Sequence, residues 1–399
     1  MSIARSPAQV LWLQVLGLAA VQGSISLAWL IYNLYLPQLL TQFGFSASLA
    51  AGLLVIENAL SALLEPLMGG LSDKSQRWFG SRFPFISVGV ILSATLFIAI
   101  PCIITFVQPT VIWRSLLPIT LVAWALAMTI FRSPAMVLLG KYATPPQLPL
   151  AVSVVTFVGG MIGAFRPIAN QYILSLGAIF AFAVASFVML ATAGILRWVN
   201  PPETPNFQHD TTVGKFPYPE LGLMFATGLG VAWGTRLMMN SLTQLLKAQF
   251  HPNNIDMLLV YIGLAIALAT LPAGVLATKI GNCQAMLLGV GTTIMSILAI
   301  AFTGAILPLI VLLVAGFSTI INGVIPLALG LISPKWAGLG IGTYFGGFAL
   351  AMSLFGWLFP QVAKMTPVIS ALLCGLAFLL VAICLIIATV QINAKAQTP

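Results

Sequence analysis

Long stretches of uncharged, mostly apolar residues recur along this chain at approximately 11–40, 46–70, 84–107, 115–138, 150–173 and 176–198, then at 219–247, 255–278, 284–305, 307–332, 337–361 and 367–390. A helix of about 20 apolar residues crosses the roughly 30 Å hydrocarbon core of a bilayer, so the pattern predicts an all-α polytopic membrane protein with twelve transmembrane helices. Composition agrees, because 6% of the residues are charged and 60% are apolar, against about 25% charged in a soluble domain. That excludes a water-soluble enzyme, and no enzymatic activity is expected. Arg5 is followed by an apolar run too long for a signal peptide and without an A-x-A cleavage site, so it is taken as a retained first helix.

The four cysteines, Cys102, Cys283, Cys374 and Cys384, stand singly, with no C-x-x-C and no Cys/His cluster. No metal site and no cofactor are expected from them. A Walker-type G-K-[ST] is also missing, so ATP is not the expected energy source. The net charge of +9 is spread over the connections rather than massed on one face, which argues for the bilayer and against nucleic acid as the basic surface's partner.

Placed on a twelve-helix topology with a cytoplasmic N-terminus, the inner connections hold ten basic residues, Arg5, Lys74, Arg77, Arg82, Lys141, Arg197, Lys215, Lys279, Lys335 and Lys395. The outer connections hold three, Arg114, Lys247 and Lys364. Inner connections favour Lys and Arg, so both termini are expected in the cytoplasm of a plasma or inner membrane.

The polar, proline-rich stretch from Asn200 to Pro219 is the longest break in hydropathy. It divides the chain into an N-terminal six-helix half (1–199), a cytoplasmic linker (200–218) and a C-terminal six-helix half (219–399). The halves echo each other: Gly69-Gly-Leu-Ser-Asp73-Lys74 is matched by Gly274-Val-Leu-Ala-Thr278-Lys279, and Thr156-Phe-Val-Gly-Gly160 by Thr343-Tyr-Phe-Gly-Gly347. A pseudo-symmetric 6+6 duplication is expected.

Two local motifs sharpen this reading. Gly69-Gly-Leu-Ser-Asp73-Lys74-Ser-Gln-Arg77-Trp-Phe-Gly80-Ser-Arg82-Phe-Pro84-Phe-Ile86 resembles the signature loop between helices 2 and 3 of the major facilitator superfamily of secondary transporters. Its longer form is similar to the sucrose-transporter and glycoside, pentoside and hexuronide cation symporter branches. Arg132-Ser-Pro134-Ala-Met-Val-Leu138-Leu-Gly-Lys141-Tyr-Ala-Thr-Pro145 resembles the end of helix 4 in the same sugar transporters, with Lys141 where they carry an acid. A pigment-related family active in light-harvesting assembly shares a similar loop. The resemblance implies alternating access between the halves, a central cavity lined by helices 1, 4, 7 and 10, and a gating role for Asp73 with Lys74, Arg77 and Arg82.

Five ionisable residues fall within predicted helices: Glu57, Glu65, Arg132, Arg166 and Arg236. Each costs about 2.5–3.5 kcal/mol at a helix centre on insertion scales, so each is expected to face protein or a wet cavity. Counting inward puts Glu65 and Arg132 at one depth as a pair, and leaves Glu57 near the midplane without an assigned partner. Ionising a carboxyl in low dielectric is costly, so Glu57, Glu65 and Arg132 are the candidates for proton coupling; a structural or gating contact is the alternative for the Glu65–Arg132 pair, and a permanent hydrogen bond to Asn58 or to a neighbouring helix is that for Glu57.

Two polar stripes occupy the first helix of each half. Gln22, Ser26, Trp29 and Asn33 recur at spacings of 4, 3 and 4, and Trp233, Arg236, Asn240 and Gln244 at 3, 4 and 4, which places each set on one helical face. Amides and a guanidinium hydrogen-bond hydroxyls or carboxylates, and indoles stack on flat apolar surfaces. These eight residues and Asn322 are the candidate substrate-binding set; polar glue between helices is the structural alternative. Tyr32 and Tyr35 are expected in an interfacial aromatic belt, and Gly159, Gly160, Gly163, Gly342, Gly346 and Gly347 in close helix packing.

The function expected is secondary active transport of a small polar organic solute, a sugar or glycoside first, coupled to a proton or other cation in a monomeric protein. A membrane assembly factor and a drug or metabolite exporter are the alternatives.

Overall fold

The computed structural model describes residues 10–46, 48–201, 216–250, 254–359 and 361–397. Arg5, Lys215 and most of the expected linker, 202–215, lie outside them. Twelve long helices follow one another: α1 (Trp12–Gln42), α2 (Ser48–Phe79), α3 (Phe83–Phe106), α4 (Val111–Val137), α5 (Leu148–Ala164), α6 (Ala178–Val199), α7 (Tyr218–Gln249), α8 (Ile255–Ile280), α9 (Asn282–Thr303), α10 (Leu307–Leu331), α11 (Ala337–Leu358) and α12 (Pro367–Gln397). Among the described residues eleven spans are long and apolar enough to cross a membrane, the fourth and fifth being Val111–Tyr142 and Pro145–Leu176, which continue past α4 and α5. The exception is α7, whose mean hydropathy is lowered by Arg236, Asn240, Gln244 and its charged ends.

The packing repeats with a period of six helices. In the first group α1 packs on α5 and α6, α2 on α4, and α3 on α4 and α6; in the second α7 packs on α11 and α12, α8 on α10, and α9 on α10 and α12. The two groups meet along α2 with α11 and α5 with α8. Large apolar side chains such as Leu63, Val111, Phe187, Met295 and Trp357 remain exposed on the outside, where lipid replaces water.

Lipid gives helices no hydrophobic reason to associate, so close backbone approach has to supply the attraction. Gly338, Gly342 and Gly346, one every fourth residue of α11, lie against α2; a Cβ there would run into the carbonyl oxygens of Gly69, Glu65 and Ala62 respectively. Gly347 lies on the Phe225 carbonyl of α7, and Gly160 meets Ala267 of α8. Gly342→Leu is expected to lower stability by about 1–3 kcal/mol by overpacking, read as thermal unfolding in detergent. Gly194→Leu, where a Cβ meets nothing within 4 Å, is the control; equal losses in both would show that the α2–α11 crossing tolerates separation.

Hydropathy misplaced three features. The polar end of the second apolar run is helical to Phe79, so Asp73, Lys74 and Arg77 sit on the last two turns of α2, and the connection to α3 is only Gly80 to Arg82, with Gly80 at φ +71°. Helices outrun the hydrocarbon core, and apolarity marks the core alone. The fifth run breaks at Ala164 into a 3₁₀ turn, Arg166–Ile168, because Pro167 cannot continue the ladder. Tyr32 and Tyr35 do not form a lipid-facing belt: both are buried in the protein, Tyr32 tilted against Trp124 with ring centres 4.3 Å apart and Tyr35 donating to the Ile173 carbonyl at 2.8 Å. A tyrosine can leave the interface once its hydroxyl finds a partner inside.

Candidate transport cavity and gate

The last two turns of α2 reach the first turn of α11, where backbone N–H groups have no partner within their own helix. Asp73 supplies it across the boundary between the helix groups: Oδ1 accepts from the Gly338 amide at 2.9 Å, and Oδ2 from the Leu339 amide at 2.9 Å. The same Oδ1 accepts from Arg82 at 2.7 Å, so a carboxylate, an arginine and a helix dipole meet in one buried cluster. Arg77 lies on the rim, its Nε donating to the Asp73 carbonyl at 3.3 Å and its guanidinium 5.4 Å from the Trp336 ring centre. Lys74 is exposed. This end of the molecule, which also carries both described chain ends, is thus clasped between the two helix groups, with α4 on α11 and α5 on α10 as further crossings.

Two turns farther into α2, Glu65 is fully buried. It is ion-paired to Arg132 of α4 and accepts a hydrogen bond from Ser133 at 2.9 Å. The Arg132 guanidinium also lies 4.1 Å from the ring centre of Phe345 in α11, so the pair spans both groups. Glu57 lies eight residues beyond, about 12 Å along the helix. It is buried, and Tyr32 of α1 donates to its Oε1; Asn58 instead donates to the Leu54 carbonyl at 2.7 Å. Glu57 Oε2 has no hydrogen-bond partner among the described residues. Sequence reasoning missed Tyr32, although one signal existed: it stands three residues after Trp29, and so adjoins the polar stripe of α1.

Between the groups lies a cavity of about 270 Å³ that takes its lining from both. All four stripe residues of α1, Gln22, Ser26, Trp29 and Asn33, line it, together with Arg132, Gly163, Arg166 and Phe345. Gly159 lets α5 approach this stripe, since a Cβ there would press on Gln22 and Ser26 at 3.1–3.2 Å. Arg166, on the 3₁₀ turn that ends α5, was noted in the sequence only as an intramembrane charge. Pro167 puts it at the cavity by breaking the helix.

The α7 stripe is divided. Trp233 donates to the Ala351 carbonyl of α11 at 2.8 Å. Asn240 donates to the Val362 carbonyl at 3.0 Å and to Ser370 at 2.9 Å, and Gln244 is 3.5 Å from the same carbonyl. These three tie α7 to α11, α12 and the connection between them, and none lines the cavity. Arg236 is exposed, 5.7 Å from the Phe355 ring centre. Asn322 of α10 is buried and donates to the Pro149 carbonyl of α5 at 3.2 Å.

A pseudo-symmetric twelve-helix bundle, clasped at one end around a polar cavity at the interface of its halves, is the architecture of a secondary transporter. The Major Facilitator Superfamily family model matches residues 18–355, and the chain belongs to that family. Among solved structures, a bacterial homologue of the iron transporter ferroportin in an outward-facing state superposes with a TM-score of 0.73 at 16% identity, covering 96% of this chain and 100% of that one. The E. coli fucose:proton symporter FucP gives 0.68 at 13%, covering 95% and 99%. The human organic anion transporter MFSD10 gives 0.66 at 16%, covering 94% and 100%. At these identities the likeness is one of fold. No curated protein matches the sequence.

Proposed function

We propose that this protein moves a small polar organic solute by alternating access, with a proton as the driving ion. The observation that carries the reading is the cavity between the halves, polar on its α1 side and clasped at one end by Asp73. The clasped end is the cytoplasmic one under the charge bias of the connections, so the described conformation opens away from the cytoplasm of the cell membrane. The two halves, 1–199 and 219–399, rock about the glycine-lined α2–α11 and α5–α8 crossings.

Gln22, Ser26 and Asn33 offer hydroxyl-binding groups and Trp29 a flat apolar face, which suits the sugar or glycoside class that the α2–α3 segment implies. FucP is named as a fucose:proton symporter and shares the fold. Trp233, Asn240, Gln244 and Asn322 then serve the site from α7 and α10 by holding helix positions, and Arg236, beside Phe355, lies outside the cavity's lining in the described conformation. An assembly factor has no use for a lined cavity, and Asn33 at the cavity supports the carrier reading.

Glu57 is the proton carrier in this scheme, with Tyr32 as its hydrogen-bond partner beside the cavity wall and the Glu65–Arg132 pair one step deeper. A carboxyl that binds a proton in one state and releases it in the other couples the gradient to the conformational cycle through differential affinity. In vesicles holding the purified protein, uptake from a sugar and sugar-acid mixture is expected to accumulate under an inward pH gradient and to equilibrate without one. Glu57→Gln should abolish accumulation and leave solute exchange within about twofold, since exchange needs no net proton movement. Wild-type accumulation in that variant would remove Glu57 from the scheme, and indifference of the wild type to the gradient would remove proton coupling.

A further inference from the structure

The two crossings at the clasped end are built alike and finished differently. Gly69 of α2 lies on the Gly338 carbonyl at the start of α11. Gly274 of α8, its counterpart in the repeat, lies on the Pro149 carbonyl at the start of α5, where a Cβ would come within 2.9 Å of the oxygen. Pro149 thus takes the place of Gly338, and Thr278 that of Asp73. No clasp forms there: Thr278 has no carboxylate, its hydroxyl donates to the Val275 carbonyl of its own helix at 2.7 Å, and Pro149 has no N–H to offer. Thr278 and Pro149 instead border a pocket of about 410 Å³, larger than the cavity of about 270 Å³ between the halves.

Both helix groups wall this pocket. Pro145, Pro146 and Pro149 come from the first, and the ends of α8, α10 and α12 with the start of α9 from the second. Its rim is open, since the lining residues Pro145, Gly281, Gln284 and Asn393 are exposed, so a molecule enters without the bundle opening. The polar lining is neutral: Thr278, Asn282, Gln284, Thr389 and Asn393 supply hydroxyls and amides, and no charged side chain lines the pocket among the described residues. Lys279 stands between two lining residues without being one. The prolines, Pro326 and Leu327 among them supply flat apolar walls.

We propose that this pocket is a second binding site, for a small uncharged molecule bearing an amide or hydroxyl on an apolar ring, and that its occupant replaces the missing clasp and holds this end shut. Neutral amides and hydroxyls exchange hydrogen bonds with such a lining, whereas a carboxylate or ammonium would lose water and find no counter-charge. The size suits one ligand of this kind, since small-molecule sites run from about 300 Å³ upward. A ligand that touches walls from both helix groups binds only while those walls meet, so it favours the clasped conformation by its differential affinity. The inference goes beyond the transport reading and takes from it only that the clasped end opens.

Gly330 of α10 lines the pocket, and a Cβ there meets nothing within 4 Å, so Gly330→Cys places a thiol in it. Cys283, which also lines the pocket, reports in the unaltered chain. Both thiols are followed by mass spectrometry during reaction of the full-length protein with N-ethylmaleimide, in the presence of benzamide, benzoate or benzamidinium, three flat molecules of one shape and different charge. Benzamide near saturation is expected to slow modification at least about fivefold and the two ions less than about twofold. At about ten times its dissociation constant, benzamide should also slow hydrogen exchange at the Gly338 and Leu339 amides about tenfold. Gly330→Trp, whose ring fills the pocket, should show that slowing without ligand and no further response to benzamide. No slowing of modification by any of the three overturns the site, and equal slowing by all three overturns the uncharged class. Protected thiols with unchanged exchange at both amides overturn the locking role. Neither readout involves a transported solute, so these failures leave the transport reading standing, and failed accumulation in vesicles leaves the pocket standing.

Discussion

Asp73→Asn is expected to reduce solute movement at least tenfold and to unlock the clasped end of the molecule. One carboxylate serves two α11 amides and Arg82 at 2.7–2.9 Å, so the amide side chain removes the negative charge from a buried arginine and replaces one acceptor with a donor facing donors. Breaking a buried charge pair by changing one partner costs about 3–5 kcal/mol. The Arg82 pair lies within the first helix group, whereas the Gly338 and Leu339 contacts cross between the groups, so the part of the cost that falls on the clasped conformation alone is that of two hydrogen bonds to a charged group, about 1.5–3 kcal/mol each. Displacing a two-state equilibrium by 3 kcal/mol changes the populations about a hundredfold. Hydrogen exchange at the Gly338 and Leu339 amides reads the change directly, since their protection comes from Asp73. Unchanged protection at both amides with normal transport would show that the clasp is held elsewhere.

The second large effect is expected at the Glu65–Arg132 pair. Arg132→Met leaves a fully buried carboxylate with only Ser133 as a side-chain partner, and Glu65→Gln leaves a guanidinium packed on Phe345 without its counter-ion. Each single change is expected to lower stability by about 3–5 kcal/mol, whereas the double change should recover much of that, because it removes both buried charges together. The coupling between the two substitutions should exceed about 1.5 kcal/mol in thermal unfolding of the four proteins. Additive losses would mean that the two charges are solvated independently. The double variant should still fail to transport, since Arg132 lines the cavity.

The sequence carried some of these residues openly and hid others. The spacing of Gln22, Ser26, Trp29 and Asn33 put them on one face, and all four line the cavity, because a polar face on a helix otherwise sunk in lipid needs a wet or polar surface to meet. The same spacing on α7 gave a face whose amides bond the connection after α11 instead. A stripe says that a face is polar, not what it opposes, and within its own half α7 packs against both α11 and α12. Matching depths brought Glu65 to Arg132, since two intramembrane charges of opposite sign at one level have few other partners. Depth could not bring Tyr32 to Glu57, because a tyrosine near a helix end has an ordinary place at an interface, and its one sign of a buried hydroxyl, adjoining the polar stripe three residues after Trp29, names no partner. Arg166 was visible as a charge, but its direction depends on how α5 turns after Pro167.

What the sequence by itself determined was the solvent, the number of helices and the class of fold: twelve apolar runs and 6% charged residues admit little else. It also marked where the backbones come close, through glycines spaced by four. What only the tertiary structure decided was which scarce polar groups are spent on each other and which are left facing the cavity. Pairing depends on the rotation of each helix about its axis, and rotation is set by contacts such as Gly342 on Glu65 and Gly159 on Gln22 that join residues more than a hundred positions apart. Asp73 with Arg82 and Glu65 with Arg132 satisfy one another within the first helix group, whereas Arg166 is left lining the cavity without a carboxylate partner among the described residues.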